Sequence, residues 1–159
     1  MTAHDPVEVC GCVPSEPRCL ELLERLDAYL AGLYLPEQNH ILSVSQLLAP
    51  GVSFVAARHL DAVVGCGALV PRGREYAEIK RMFVDPGARR KRIGKRILQH
   101  LESLATDEGF TVLRLETGTR QPEALALYER AGYRRISPFG EYGPNETSVF
   151  MEKTLQPAP

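Results

Sequence analysis

The chain has no run that approaches the ~20 consecutive apolar residues of a membrane-spanning helix. Its start, Met1-Thr2-Ala3-His4-Asp5, has neither the basic region nor the apolar stretch of a secretory leader, so the cytoplasm is the expected compartment, with no membrane partner. Net charge is nearly absent too, a formal -1, which argues against a generally basic nucleic-acid binder. Glycine (13) and proline (12) are too scarce for a collagen-like or low-complexity chain, and there are no internal repeats and no linker. The 159 residues, 44% of them hydrophobic, therefore read as one globular domain over residues 1–155, with 156–159 as a short disordered tail. The four histidines lack ligand spacing, and no second cysteine pair completes a tetrahedral site, so no metal is expected. Cys10, Cys12, Cys19 and Cys66 read as small buried thiols.

What the chain does contain is punctuated alternation. Val7 to Val13 reads as a strand, and Pro17 opens a helix whose Leu23, Leu26, Leu30 and Leu33 form one stripe before Pro36. Pro36 to Pro50 reads as loop plus a short helix over Ser45 to Leu48. Ser53 to Arg58, Val63 to Val70 and Tyr76 to Val84 are three successive strands, an antiparallel meander. A helix from Ile93, with Ile97, Leu101 and Leu104, and a strand Thr111 to Thr117 complete a parallel crossover. A second helix from Gln121 to Ala131 and strands Tyr133 to Ser137 and Ser148 to Leu155 close an α/β fold with a mixed sheet.

Charge is concentrated where a strand feeds a helix. Between Arg72 and Arg96 there are ten cations against three acids, while the rest of the chain holds nine against seventeen. The first N–H groups of a helix lack internal partners and the helix dipole is positive there, so this junction suits a pyrophosphate. Arg89, Arg90, Lys91, Arg92, Lys95 and Arg96 add cations, and Gly94 lets a ligand approach the backbone. The spacing is neither the Walker pattern G-x-x-x-x-G-K-[ST] nor the dinucleotide fingerprint G-x-G-x-x-G. The stretch also lacks aromatic residues, which weakens a nucleic-acid reading.

These residues resemble the GNAT acetyltransferase superfamily. Its coenzyme loop, Q/R-x-x-G-x-G/A after a strand ending in valine, is matched by Val84-Asp85-Pro86 followed by Arg89-x-x-Arg92-x-Gly94. Arg92 stands where the family has its first glycine, and a positive φ at that amide would cost about 1–2 kcal/mol. A second block, N-x-x-A-x-x-L-Y-E-x-x-G-F, is matched by Gln121-x-x-Ala124-x-x-Leu127-Tyr128-Glu129-x-x-Gly132-Tyr133. The resemblance implies a mixed, mostly antiparallel sheet of about seven strands with helices on both faces. It also implies acetyl-CoA as co-substrate, direct attack by a small-molecule primary amine in a ternary complex, and a homodimer as one possible assembly.

The same resemblance assigns roles. Met82, Phe83 and Val84, the run Arg89 to Lys95 with Ile93, and Gln121 and Ala124 would hold the coenzyme. Glu78, in an Ala-Glu-Ile triplet, is the general-base candidate, or else a structural partner of Lys80 or Arg74. Tyr128 is the general-acid candidate, since a phenol of pKa about 10 is protonated at neutral pH, or else a packing residue. Glu37, Asn39, His40, Arg81 and Tyr142 are candidates for the acceptor site. A peptide or protein amine acetyltransferase and a non-catalytic acyl-CoA sensor stand as alternatives.

Overall fold

The structure is a computed structural model and describes residues 7–156, without the side chains of residues 89–91. Seven strands form one sheet in the order β1-β2-β3-β4-β5-β7-β6. They are β1 (Val7–Gly11), β2 (Ser53–His59), β3 (Ala62–Arg72), β4 (Tyr76–Val84), β5 (Val112–Gly118), β6 (Arg134–Ile136) and β7 (Ser148–Thr154). Only β4 and β5 pair in parallel; every other neighbour is antiparallel. The meander and the crossover expected from the sequence are both present. The element ends differ by one or two residues: the short helix α2 spans Val44–Leu47, capped by Ser43, one residue earlier than expected.

Helices α1 (Pro17–Leu33) and α3 (Ile93–Asp107) cover opposite faces. On one face Ile93, Ile97, Leu98, Leu101 and Ala105 of α3 pack with Val55, Leu69, Ile79, Leu113 and Met151. On the other, Cys19, Leu22, Leu23 and Leu26 of α1 pack with Phe54, Ala56, Cys66 and Phe83. Each fully buried leucine or isoleucine contributes about 1.5–3 kcal/mol, so these two layers fix the sheet between the helices. The expected α1 stripe is displaced toward its start: Leu30 and Leu33 are only partly buried, because that end of the helix overhangs a cleft rather than the sheet. The last helix, α4 (Pro122–Arg130), follows β5 directly. Among the described residues no helix is long and apolar enough to cross a membrane.

The feature that creates the site lies in the middle of β4. Cys66 faces Phe83 and Ala68 faces Lys80, so Arg81 and Met82 together oppose only Gly67, a β-bulge. Arg81 takes φ 59°, in the left-handed region, which a side chain tolerates only where its surroundings enforce it. On its other edge β4 pairs with β5 only through Ala77, Glu78 and Ile79. Beyond Ile79 the two parallel strands part, leaving a wedge open at their C-terminal ends, the end at which open α/β sheets bind ligands.

Candidate active site

Two clefts meet in that wedge. The smaller, about 90 Å³, lies on the α1 side and is bounded by Leu26, Leu30 and Tyr34, by Asn39 and His40, by Lys80 and Arg81, and by Glu116 and Thr117. The larger, about 780 Å³, runs between α3 and α4 past Phe83, Val84, Arg92, Gly94, Lys95 and Leu127. Met82, Gln121, Ala124 and Tyr128 belong to the walls of both. A long ligand in the larger cleft can therefore present one end to a small molecule in the other.

Local sequence explains this junction. Gly118 ends β5, and a Cβ there would stand 1.8 Å from the Tyr34 hydroxyl, so glycine alone lets α1 close on the β5–α4 turn. The Tyr34 hydroxyl accepts from the Arg120 N–H at 3.1 Å and donates to Oε1 of Gln121 at 3.2 Å, which fixes Gln121 between the clefts. Gly94 serves packing as well as access: a Cβ would meet Leu127 at 3.2 Å, so its absence lets α3 and α4 approach on either side of the larger cleft.

The basic loop is a 3₁₀ turn, Pro86–Lys91, started by Asp85, whose carboxylate accepts from the Gly87 N–H at 3.1 Å and pairs with Arg25 of α1 at 2.6 Å. Arg92 then takes φ 55° and ψ 31° and begins α3, so the position where the family motif has glycine does require a left-handed residue. Arg92, Gly94 and Lys95 line the larger cleft, while the side chains of Arg89, Arg90 and Lys91 lie outside the described residues. Two neighbours are used elsewhere. Ile93 is fully buried in the core, leaving only its backbone for a ligand, and Arg96 donates to the Val7 carbonyl.

Tyr128 is 5% exposed and packs edge-on against Tyr133. Its hydroxyl has no hydrogen-bond partner among the described residues, and burial, reinforced by the Glu116 charge, pushes its pKa above the ordinary phenol range. It stays protonated at neutral pH and can donate a hydrogen bond in the wedge.

Glu78, the general-base candidate, is held in a buried hydrogen-bond network. It is 1% exposed and does not line the acceptor cleft. Oε1 accepts from Nε of Arg72 at 2.9 Å, Oε2 from the Tyr142 hydroxyl at 2.5 Å, and Lys80 Nζ lies 3.8 Å away. The structural partner is thus Arg72 with Lys80, not Arg74. Tyr142 likewise does not line the cleft; it stacks edge-on with His40 at 5.2 Å and accepts from Lys80 Nζ at 2.8 Å. Lys80, which does line the cleft, connects the cleft to this buried pair. Desolvation lowers its pKa, against the pull of Glu78 and Glu116.

Of the other acceptor candidates, Asn39, His40 and Arg81 line the cleft and Glu37 does not, being exposed on the 3₁₀ turn beside it. Arg81 pairs with Asp27 of α1 at 2.6 Å. The sequence reading missed Glu116, the carboxylate on the cleft wall. It accepts from the Ser148 hydroxyl at 2.7 Å and lies 3.4 Å from Nδ1 of His40. Its signal was its place near the C-terminal end of the strand that follows the crossover, where open sheets build their sites.

The sequence carries the same assignment as the geometry. A family model described as the acetyltransferase (GNAT) family matches residues 19–133. This chain belongs to the GNAT acetyltransferase family. As a GNAT enzyme it is an acetyl-CoA-dependent N-acetyltransferase by class. An IAA acetyltransferase from Azospirillum brasilense is 44% identical to it over 143 residues, 89% of this chain and 94% of that one. A Klebsiella pneumoniae protein assigned as an acyl-CoA N-acyltransferase superposes with a TM-score of 0.83 at 34% identity, covering 96% of this chain and 100% of its own. An aminoglycoside 6'-N-acetyltransferase solved with coenzyme A shares the fold, with a TM-score of 0.73 at 20% identity over 96% of this chain and 99% of its own.

Proposed function

We propose that this GNAT enzyme acetylates a primary amine of a small molecule held in the wedge between β4 and β5, by direct attack on acetyl-CoA lying between α3 and α4. The observation that carries the reading is the meeting of the two clefts at Met82, Gln121, Ala124 and Tyr128. The pyrophosphate would rest on the start of α3, beside Arg92 and Lys95, with the pantetheine along Met82, Phe83 and Val84. The small volume of the acceptor cleft favours a small molecule over a polypeptide segment.

In this reading Glu116, with His40 beside it, holds the incoming ammonium group. The amine must lose a proton before it attacks: Lys80 in its neutral form, which desolvation favours, takes that proton and donates to the Tyr142 hydroxyl, which donates in turn to Oε2 of Glu78. Glu78 therefore acts at a distance, through Tyr142 and Lys80, and not by contact. Attack forms the carbon–nitrogen bond and expels the coenzyme thiolate. A free thiol has a pKa of about 8.5, well below that of Tyr128, so the phenol supports the departing sulfur as a hydrogen-bond donor without a completed proton transfer.

The test is a thiol-release assay with acetyl-CoA and a panel of small amines, amino acids and peptides. Release that requires a small amine is expected. Release with peptides only would shift the reading to a protein acetyltransferase, and coenzyme binding without turnover on any amine would shift it to a sensor.

A further inference from the structure

Cys66 fits the expectation of a buried structural thiol, fully enclosed and donating to the Arg81 carbonyl at 3.2 Å. Cys19 is likewise enclosed, whereas Cys10 and Cys12 are only partly buried. Cys12 directly follows β1 and is partly exposed, Cys19 is the third residue of α1 and is wholly buried, and the turn between them brings their sulfurs to 2.7 Å. A disulfide measures about 2.05 Å, so a movement of about 0.7 Å would join them.

Two charged groups stand at the Cys12 sulfur. Its S–H donates to Oε2 of Glu16 at 3.3 Å, and Nη2 of Arg58 on β2 lies 3.4 Å from the same sulfur while donating to Glu16 at 2.6 Å. The more open thiol thus has a hydrogen-bonded carboxylate and a guanidinium beside it and an enclosed thiol behind it. Burial holds both thiols above the ordinary range and the Arg58 guanidinium holds Glu16 below the ordinary carboxylate range, so the proton passes from Cys12 to Glu16 only as the sulfur reacts. Cys12, Glu16 and Cys19 also place ligand atoms within 4.8 Å of one another, the arrangement of a metal site. Two thiolates on one tetrahedral zinc, with Zn–S about 2.3 Å, would stand about 3.8 Å apart, and Arg58 would repel the cation. The observed contact is closer to bond formation than to metal binding.

We propose that Cys12 and Cys19 form a peroxide-reactive dithiol site, in which Cys12 is oxidised first and Cys19 resolves it. Glu16 accepts the Cys12 proton as the sulfur attacks one peroxide oxygen. The O–O bond breaks, Cys12 becomes a sulfenic acid, and the hydroxide leaves as water with the proton Glu16 had taken. The Cys19 sulfur then attacks Sγ of Cys12, the S–O bond breaks, and the Cys19 proton departs with the second water. Two thiols lose two electrons and one peroxide becomes two waters. The bond would tie the end of β1 to the first turn of α1, the helix that carries Leu26, Leu30 and Tyr34 to the acceptor cleft.

The full chain, reduced and freed of reductant, is treated with hydrogen peroxide and followed by intact mass, thiol titration in denaturant and peptide mapping. The mass should fall by two hydrogens and the titre from four thiols to two, with a Cys12–Cys19 cross-linked peptide, a higher melting temperature and reversal by dithiothreitol. The Cys19→Ser variant should stop at a Cys12 sulfenic acid, trapped by dimedone. Because serine at so enclosed a position can itself unfold the chain, Cys12→Ser carries the test independently, and its three thiols should survive the same treatment. A wild-type titre that stays at four, a cross-link to Cys10 or Cys66, or Cys12 driven to sulfinic acid with Cys19 still free would each overturn the proposal. So would a zinc ion retained by the reduced chain after zinc chloride is added alone, if it is lost in the Cys12→Ser variant.

Discussion

Arg92→Gly separates the two things this residue does. Arg92 takes φ 55° and ψ 31° at the start of α3, and its exposed side chain stands at the wall of the larger cleft. A residue with a Cβ in the left-handed region costs about 1–2 kcal/mol, a strain that glycine does not carry. Glycine loses more backbone freedom on folding, which returns about 0.5–1 kcal/mol of that gain. The net stabilisation is about 0.5–1 kcal/mol, and for a domain of this size about 2–4 °C of melting temperature accompanies each kcal/mol. The gain should therefore be about 1–4 °C. Coenzyme affinity should move the other way, because a cation beside the phosphates is lost, and its salt dependence should weaken. Arg92→Ala is the control. It removes the same charge but keeps the Cβ, so it should lose the same affinity and gain no stability. Differential scanning calorimetry on the three proteins, with acetyl-CoA titrations at low and high salt, measures both effects. An alanine variant as stable as the glycine variant would refute the strain argument, and unchanged affinity in both would remove Arg92 from the coenzyme site.

Three further outcomes follow, two from the site and one from the core. Tyr128→Phe keeps the ring and its contact with Tyr133 but loses a donor to a developing anion, a loss of about 1.5–3 kcal/mol. Turnover should fall roughly 10–100-fold with acetyl-CoA affinity and melting temperature nearly unchanged, and full activity would exclude the role. Glu116→Gln should raise the acceptor KM roughly 10–100-fold by weakening a charge-assisted hydrogen bond, whereas Glu78→Gln should lower kcat by about 100-fold with KM nearly unchanged; the same KM change from both would merge their roles. Burial raises the pKa of Cys66 from 9.0 to about 12, so the folded state keeps a proton that the unfolded state releases. That contribution to stability is whole below pH 9 and is lost as pH rises toward 12, by up to about 1.4 kcal/mol per pH unit. Melting temperature should consequently fall more steeply between pH 9 and 10 in wild type than in Cys66→Ala, and parallel curves would contradict the shift.

The parts of this protein that were legible in the sequence are those set by short-range rules. Pro17 and Pro122 announce helix starts, Val and Ile runs announce strands, and the spacing of Ile93, Ile97 and Leu101 gives the buried face of α3. The Arg92 strain was visible because a motif position that normally holds glycine implies a backbone angle. What stayed hidden depends on register. No local pattern reveals the bulge that sets Arg81 and Met82 against Gly67, and without it the wedge beyond Ile79 cannot be placed. That is why the sequence does not show that Glu78, one strand position short of the wedge, stays out of the cleft, and why Glu116, two residues past Arg114 on the neighbouring strand, was missed. The Cys12–Cys19 contact was hidden for a similar reason, since Cys12 leaves β1 and turns back onto the first turn of α1.

The measurement that bears most directly on the central claim is a crystal structure of the chain with coenzyme A. The account predicts the pyrophosphate on the start of α3 beside Arg92 and Lys95, the pantetheine along Met82 to Val84, and the sulfur within hydrogen-bonding reach of the Tyr128 hydroxyl, facing the cleft that holds Glu116. Coenzyme bound with its sulfur away from Tyr128, or with its thiol end outside the wedge between β4 and β5, would contradict it.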